Sequence, residues 1–107
     1  MAMAKAYEIS IWDPHPGKFD EFLELIQSLR LAFLESGVTQ VDVLSGAAGK
    51  DVGKIVVIQT FKGLADNGAL NESIGKSSVM VKWREAHPGD FPATLISHDL
   101  YEGIDAE

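Results

Sequence analysis

The chain has no cysteine. That excludes a disulfide framework, a thiolate nucleophile and any Cys-ligated zinc or iron–sulfur site. Basic residues are also scarce: nine Lys and Arg stand against 16 Asp and Glu, a net charge of −7. Nucleic-acid phosphates demand a basic face, so no nucleic-acid partner is expected. The acidic residues are dispersed, with some excess at Asp99, Glu102, Asp105 and Glu107, and read as a solvated surface. No apolar run approaches the ~20 residues of a membrane helix, so no membrane partner is expected. The first five residues lack the basic segment and long apolar core of a secretory signal, which makes a cytoplasmic location the expectation. His15, His87 and His98 do not cluster, and no His-Glu-X-X-His spacing occurs, so no metal site is expected. The nine-residue stretch 45–53 carries three glycines but lacks the Gly-Lys-Ser/Thr ending of a phosphate loop. No cofactor is implied.

What is present is a clear order of hydrophobic periods. At 107 residues, with 46% hydrophobic and 23% charged residues, the chain has the size and composition of one globular domain, 1–107. Residues 5–12 alternate: Tyr7, Ile9 and Ile11 share one face, and Glu8, Ser10 and Trp12 the other. Pro14 and Pro16 are expected to stop this strand. An amphipathic helix over 18–35 follows, with Phe19, Phe22, Ile26, Leu29 and Phe33 on its stripe and Leu23 and Leu34 widening it. Gly37 supplies its stop. Residues 38–44 and 54–61 read as a hairpin, the second strand being apolar on both faces. A helical stretch over 64–86 is softened by Gly68 and Gly75 and breaks near Gly75-Lys76-Ser77-Ser78. Residues 93–102 form the last strand, with Thr94, Ile96, His98 and Leu100 on one face.

The order β-α-β-β-α-β predicts an α+β, ferredoxin-like fold with an antiparallel four-stranded sheet and its helices on one face. The apolar second face of the sheet asks for a partner, most simply a second copy of the chain. A homodimer is expected.

The chain resembles the dimeric α/β-barrel superfamily, which includes antibiotic-biosynthesis-monooxygenase-like and NIPSNAP-like domains. Pro16-Gly17-Lys18 followed by Phe19-Asp-Glu-Phe22 carries the likeness. So do Ile58-Gln-Thr-Phe61 leading into Leu64-Ala-Asp-Asn-Gly68, and the closing Pro92-Ala-Thr-Leu-Ile-Ser97. The resemblance implies that two ferredoxin-like sheets meet in a dimeric α/β barrel, with small ligands held between each sheet and its helices. Haem degraders in that superfamily resemble one another in an Asn-Trp-His triad. Here Tyr7 and Leu70 stand near the first two places, and only His87 or Trp83 falls near the third, so the resemblance does not extend to haem degradation.

Among residues that could carry chemistry, Trp83 could wall an apolar pocket, with Arg84 beside it. Asn67 and Asn71 lie one helical turn apart and could reach one ligand. Tyr7 and Tyr101 could donate to a phenolic or quinone guest. A ligand site between the sheet and the second helical region is expected, lined by Tyr7, Asn67, Trp83 and His98, for a small apolar or aromatic molecule. No Ser/His/Asp order and no carboxylate pair marks a reaction. Two functions stay open: a small-ligand-binding homodimer without catalysis, and a cofactor-independent monooxygenase or isomerase acting on an aromatic or polyketide-like compound.

Overall fold

A computed structural model describes residues 4–73, 78–87, 89 and 91–104, with the backbone alone for 69–73 and 79. Seven elements follow in the order β1 (Ala6–Pro14), α1 (Phe19–Glu35), β2 (Val38–Ser45), β3 (Ile55–Phe61), α2 (Leu64–Ser73), α3 (Ser78–Ala86) and β4 (Ala93–Glu102). The strands form one antiparallel sheet in the order β2-β3-β1-β4. This is the ferredoxin-like β-α-β-β-α-β arrangement, with α2 and α3 in the second helical region. The expected break at Gly75 to Ser77 lies outside the described residues.

The α1 stripe explains most of the core. Phe22, Leu25, Ile26, Leu29 and Phe33 are buried at helical spacing. Against them pack Val38 and Val41 of β2 and Ile55, Val57 and Phe61 of β3. Three positions differ from the expected stripe, Leu34 among them at 41% exposed. Leu25 is buried although it was not assigned to the stripe, and Phe19 is 40% exposed at the helix start. Phe19 and Leu23 line an open groove of about 370 Å³ with Val43 and Ile55. Gly37, at φ +110°, takes a backbone conformation that side chains rarely allow and turns the chain from α1 into β2.

The first strand runs two residues further than its prolines suggested. Its pairing with β3 ends at Trp12↔Ile55, whereas pairing with β4 continues through Asp13↔Thr94 and Pro14↔Ala93. Pro14 is therefore tolerated where the sheet has one neighbour instead of two. In β4 a register shift places Leu95 opposite Trp12 and Ser97 opposite Ile11. That bulge breaks the simple alternation expected for β4, because Leu95 falls in register with the Trp12 side. At the β2–β3 hairpin tip, a side chain on Gly46 would lie 1.9 Å from the Asp51 carbonyl oxygen, so only glycine fits.

The faces of the sheet are now assigned. Ala6, Glu8, Ser10 and Trp12 turn toward the helices: Ala6 is fully buried, and Trp12 packs on Phe22 with ring centroids 5.3 Å apart. Tyr7, Ile9 and Ile11 have the opposite parity and lie on the uncovered face with Val56 and Ile58 of β3, their cross-strand neighbours. The apolar set of β1 thus points away from the helices, and its polar set points in.

Candidate functional site

A carboxylate on the helix-facing side of a sheet is unusual, since desolvating a charge is costly unless it is paired and hydrogen-bonded. Glu8 is such a group. Its side chain is 8% exposed, and both carboxylate oxygens are used. Asn67 of α2 donates from Nδ2 to Oε2 at 3.0 Å. His98 of β4 bonds through Nε2 to Oε1. Three elements remote in sequence therefore converge on one carboxylate.

Each placement has a local cause. Glu8 lies on β1, between the two neighbours that cover most of the sheet. Asn67 enters because α2 starts immediately after β3 and crosses back over β1, which buries its first-turn amide. His98 pairs with Ser10, the next residue on the same face of β1, so its ring reaches Glu8 diagonally. The His98 side chain is 47% exposed, because β4 is an edge strand that the helices leave largely uncovered. Leu100 lies opposite Glu8 on the same face and is 48% exposed, giving the mouth of the site an apolar margin.

The hydrogen bonding fixes the chemistry of the imidazole. An ionised carboxylate only accepts, so opposite ionised Glu8 it is Nε2–H of His98 that donates and Oε1 that accepts the hydrogen bond. In the neutral ring the lone pair then belongs to Nδ1. A carboxylate that holds an imidazole in one tautomer, and that would neutralise the imidazolium formed on proton uptake, is the orienting half of a general-base pair. Gln59, directly across from Glu8 on β3 and buried, adds a further group. Its Oε1 is buried without a hydrogen-bond partner.

Of the four residues expected at the site, Asn67 and His98 are brought together by Glu8. Tyr7 is next to Glu8 in sequence and so projects from the opposite face of β1, where its cross-strand neighbours are Tyr101 and Thr60. Trp83 sits elsewhere. It stacks on His87 with centroids 4.7 Å apart and an interplanar angle of 15°, and packs on Phe91 at 5.5 Å. Phe91 continues the aromatic cluster to Trp12 and Phe22. An open groove of about 460 Å³ runs beside that cluster, lined by His15, Lys18, His87 and Phe91. His15 is engaged by Thr94, with Nε2 and Oγ1 2.9 Å apart. The side chain of Asn71 lies outside the described residues.

Glu8 and Gln59 were missed in the sequence. The available signal was a charge in the alternation of β1 and an amide within the apolar run of β3, both of which read as ordinary solvent-facing positions until the faces are known. Among the described residues, no three His, Asp or Glu side chains are grouped to hold a metal ion. No helix among them is long and apolar enough to cross a membrane.

No protein-family model matches the sequence, and no curated protein matches it. Solved structures do. A candidate antibiotic biosynthesis monooxygenase from Nitrosomonas europaea superposes with a TM-score of 0.64 at 16% identity, over 94% of this chain and 90% of that one. An uncharacterised NIPSNAP domain protein from Burkholderia xenovorans gives 0.63 at 15% identity, over 94% of both chains. A protein of unknown function from Bacteroides thetaiotaomicron, named as a candidate oxidoreductase, gives 0.67 at 12% identity, over 95% of this chain and all of that one. At such identities the likeness establishes the fold. The chain has the ferredoxin-like fold of the antibiotic-biosynthesis-monooxygenase-like and NIPSNAP proteins.

Proposed function

We propose that the chain is a homodimeric small-molecule protein whose Glu8–His98 pair removes a proton from an apolar ligand bound between the sheet and α2. The observation that carries this reading is the buried Glu8 carboxylate held between His98 and Asn67. A structural role alone would be served as well by an apolar residue, because buried ion pairs contribute little net stability. A carboxylate that instead orients a half-exposed imidazole supplies an accessible base. Nδ1 of His98 takes the proton, Glu8 compensates the imidazolium, and the negative charge stays on the ligand. Return of the proton to a different atom is an isomerisation and needs no cofactor. Reaction of an electron-rich ligand anion with dioxygen, as co-substrate, is the second reading. It is supported by the fold shared with the candidate monooxygenase from Nitrosomonas europaea.

The homodimer rests on the uncovered face. Ile9 and Ile58 stand directly opposite each other there, flanked by Ile11 and Val56. The molecule is 17 Å along its shortest axis, the thickness of one sheet and one helical layer. A second copy packed face to face would close the sandwich and bury, on the order of, 2,000 Å² in total. Light scattering should find a dimer at micromolar concentration, and Ile58→Glu should leave a monomer.

The base can be tested with a nitrophenol, whose yellow anion reports proton loss. Wild-type protein should bind the probe and raise its anion band at a pH where the free probe is mostly protonated. His98→Gln should bind without raising it. A wild-type spectrum identical to that of the free probe, with no shift in Tm, would sink the assignment.

A further inference from the structure

We infer that Gln59 is a specificity-determining residue, whose side-chain oxygen receives a hydrogen bond from a hydroxyl at the inner end of the ligand. This rests on the reading of Glu8 and His98 as the ligand site. Gln59 is 9% exposed, and its Oε1 has no hydrogen-bond partner. Buried acceptors are satisfied in nearly all folded proteins, and an orphan is costly when a Met or Leu of similar size would fill the space without it. The residue lies directly opposite Glu8 in the β1–β3 ladder, on the face that turns toward the helices. The orphan atom is thus next to the proposed base pair and on its inner side. Its missing partner is a donor, and the polar group opposite it in that row, the Glu8 carboxylate, is an acceptor whose two oxygens are already occupied.

The spacing defines the ligand further. His98 is on β4 and Gln59 on β3, with β1 between them. Two inter-strand steps amount to about 9–10 Å. A ligand that meets both is therefore elongated. It presents its acidic proton to His98 at the exposed β4 margin and reaches beneath α2 with an O–H at its other end. A bare acceptor accepts from a hydroxyl and repels an ether oxygen, so the ligand class is a flat, two-ended hydroxylated molecule whose inner hydroxyl is free.

A linear naphthalenediol with hydroxyls at opposite ends, compared with its monomethyl ether, tests this by calorimetric titration into the full chain. The wild type should bind the diol about tenfold more tightly, and Gln59→Met should bind both compounds equally, with the affinity for the ether unchanged. On the wild type alone, the Gln59 side-chain amide resonances should move with the diol and not with the ether, a readout independent of how the variant folds. Equal affinities in the wild type, a preference that survives in Gln59→Met, or amide resonances that ignore the diol would overturn the inference, leaving Oε1 the partner of a buried water only. Failure of the underlying reading looks different. In that case neither probe binds, or the nitrophenol anion band is the same with His98→Gln as with the wild type, and the role of Gln59 falls with it.

Discussion

The helical layer has two halves that cover one sheet face in opposite ways. The α1 half is dry: five buried apolar side chains meet the apolar residues of β2 and β3. The α2 half is polar, with Asn67, Glu8 and Gln59 buried at its centre. Helix α1 is an uninterrupted 17-residue amphipathic element, while α2 is a 10-residue segment carrying Gly68. One half supplies the cohesion that lets the other keep groups that cohesion alone would not select. The polar set lies next to the uncovered edge strand, where a ligand can reach it.

Substitutions should separate the two halves by size of effect. Ile26→Asp puts an unpaired carboxylate into the dry half and removes apolar contacts, and should cost about 3–5 kcal/mol, enough to unfold the domain. Gln27→Asp, one residue along on the exposed side of α1, should change stability by less than about 0.5 kcal/mol. Chemical denaturation of both variants checks the pair, and similar midpoints would mean that the α1 face is misassigned.

In the polar half, Glu8→Ala leaves Asn67 and His98 without the acceptor they share and should cost about 1–3 kcal/mol. It should also abolish the nitrophenol response, whereas Glu8→Gln should keep more of the stability and lose the response. If Glu8→Ala melts with the parent, the carboxylate does not organise this half.

A smaller change of opposite sign is expected at Gly68. The residue is helical, has no positive φ and has open space where a side chain would go. Gly68→Ala should therefore raise stability by up to about 1 kcal/mol. A melting temperature no higher than the parent's would mean that the helix is not limited by Gly68. The smallest effect belongs to Tyr7→Phe. On the opposite face from Glu8, it should leave the nitrophenol spectrum unchanged, and a lost response would place the site on the other side of the sheet.

Much of the fold was legible because it rests on local periodicity. The 3.6-residue stripe of α1 and the alternation in the strands survive in the chain as written. Phe22, Ile26, Leu29 and Phe33 fell where that stripe put them. Phe19, Leu25 and Leu34 did not, because the position of a helix along a sheet is a tertiary fact. The site was legible only in fragments. Asn67 and His98 could be named as polar residues near the second helical region, but the carboxylate joining them stayed hidden. It sits 59 residues from one partner and 90 from the other.

The sequence by itself determined the element order, the absence of thiol chemistry, the acidic surface and the dry face of α1. Each of these depends on composition or on spacing within one element. Only the tertiary structure decided which face of β1 meets the helices, because alternation defines two faces without saying which is covered. The Tyr7, Ile9 and Ile11 set is the more apolar, yet it lies outside, and Glu8 lies inside. That choice follows from the partners each face finds once the strands are ordered β2-β3-β1-β4 and α2 crosses above them. Asn67 arrives from α2 and His98 from β4 to satisfy a carboxylate that no single segment could have sheltered.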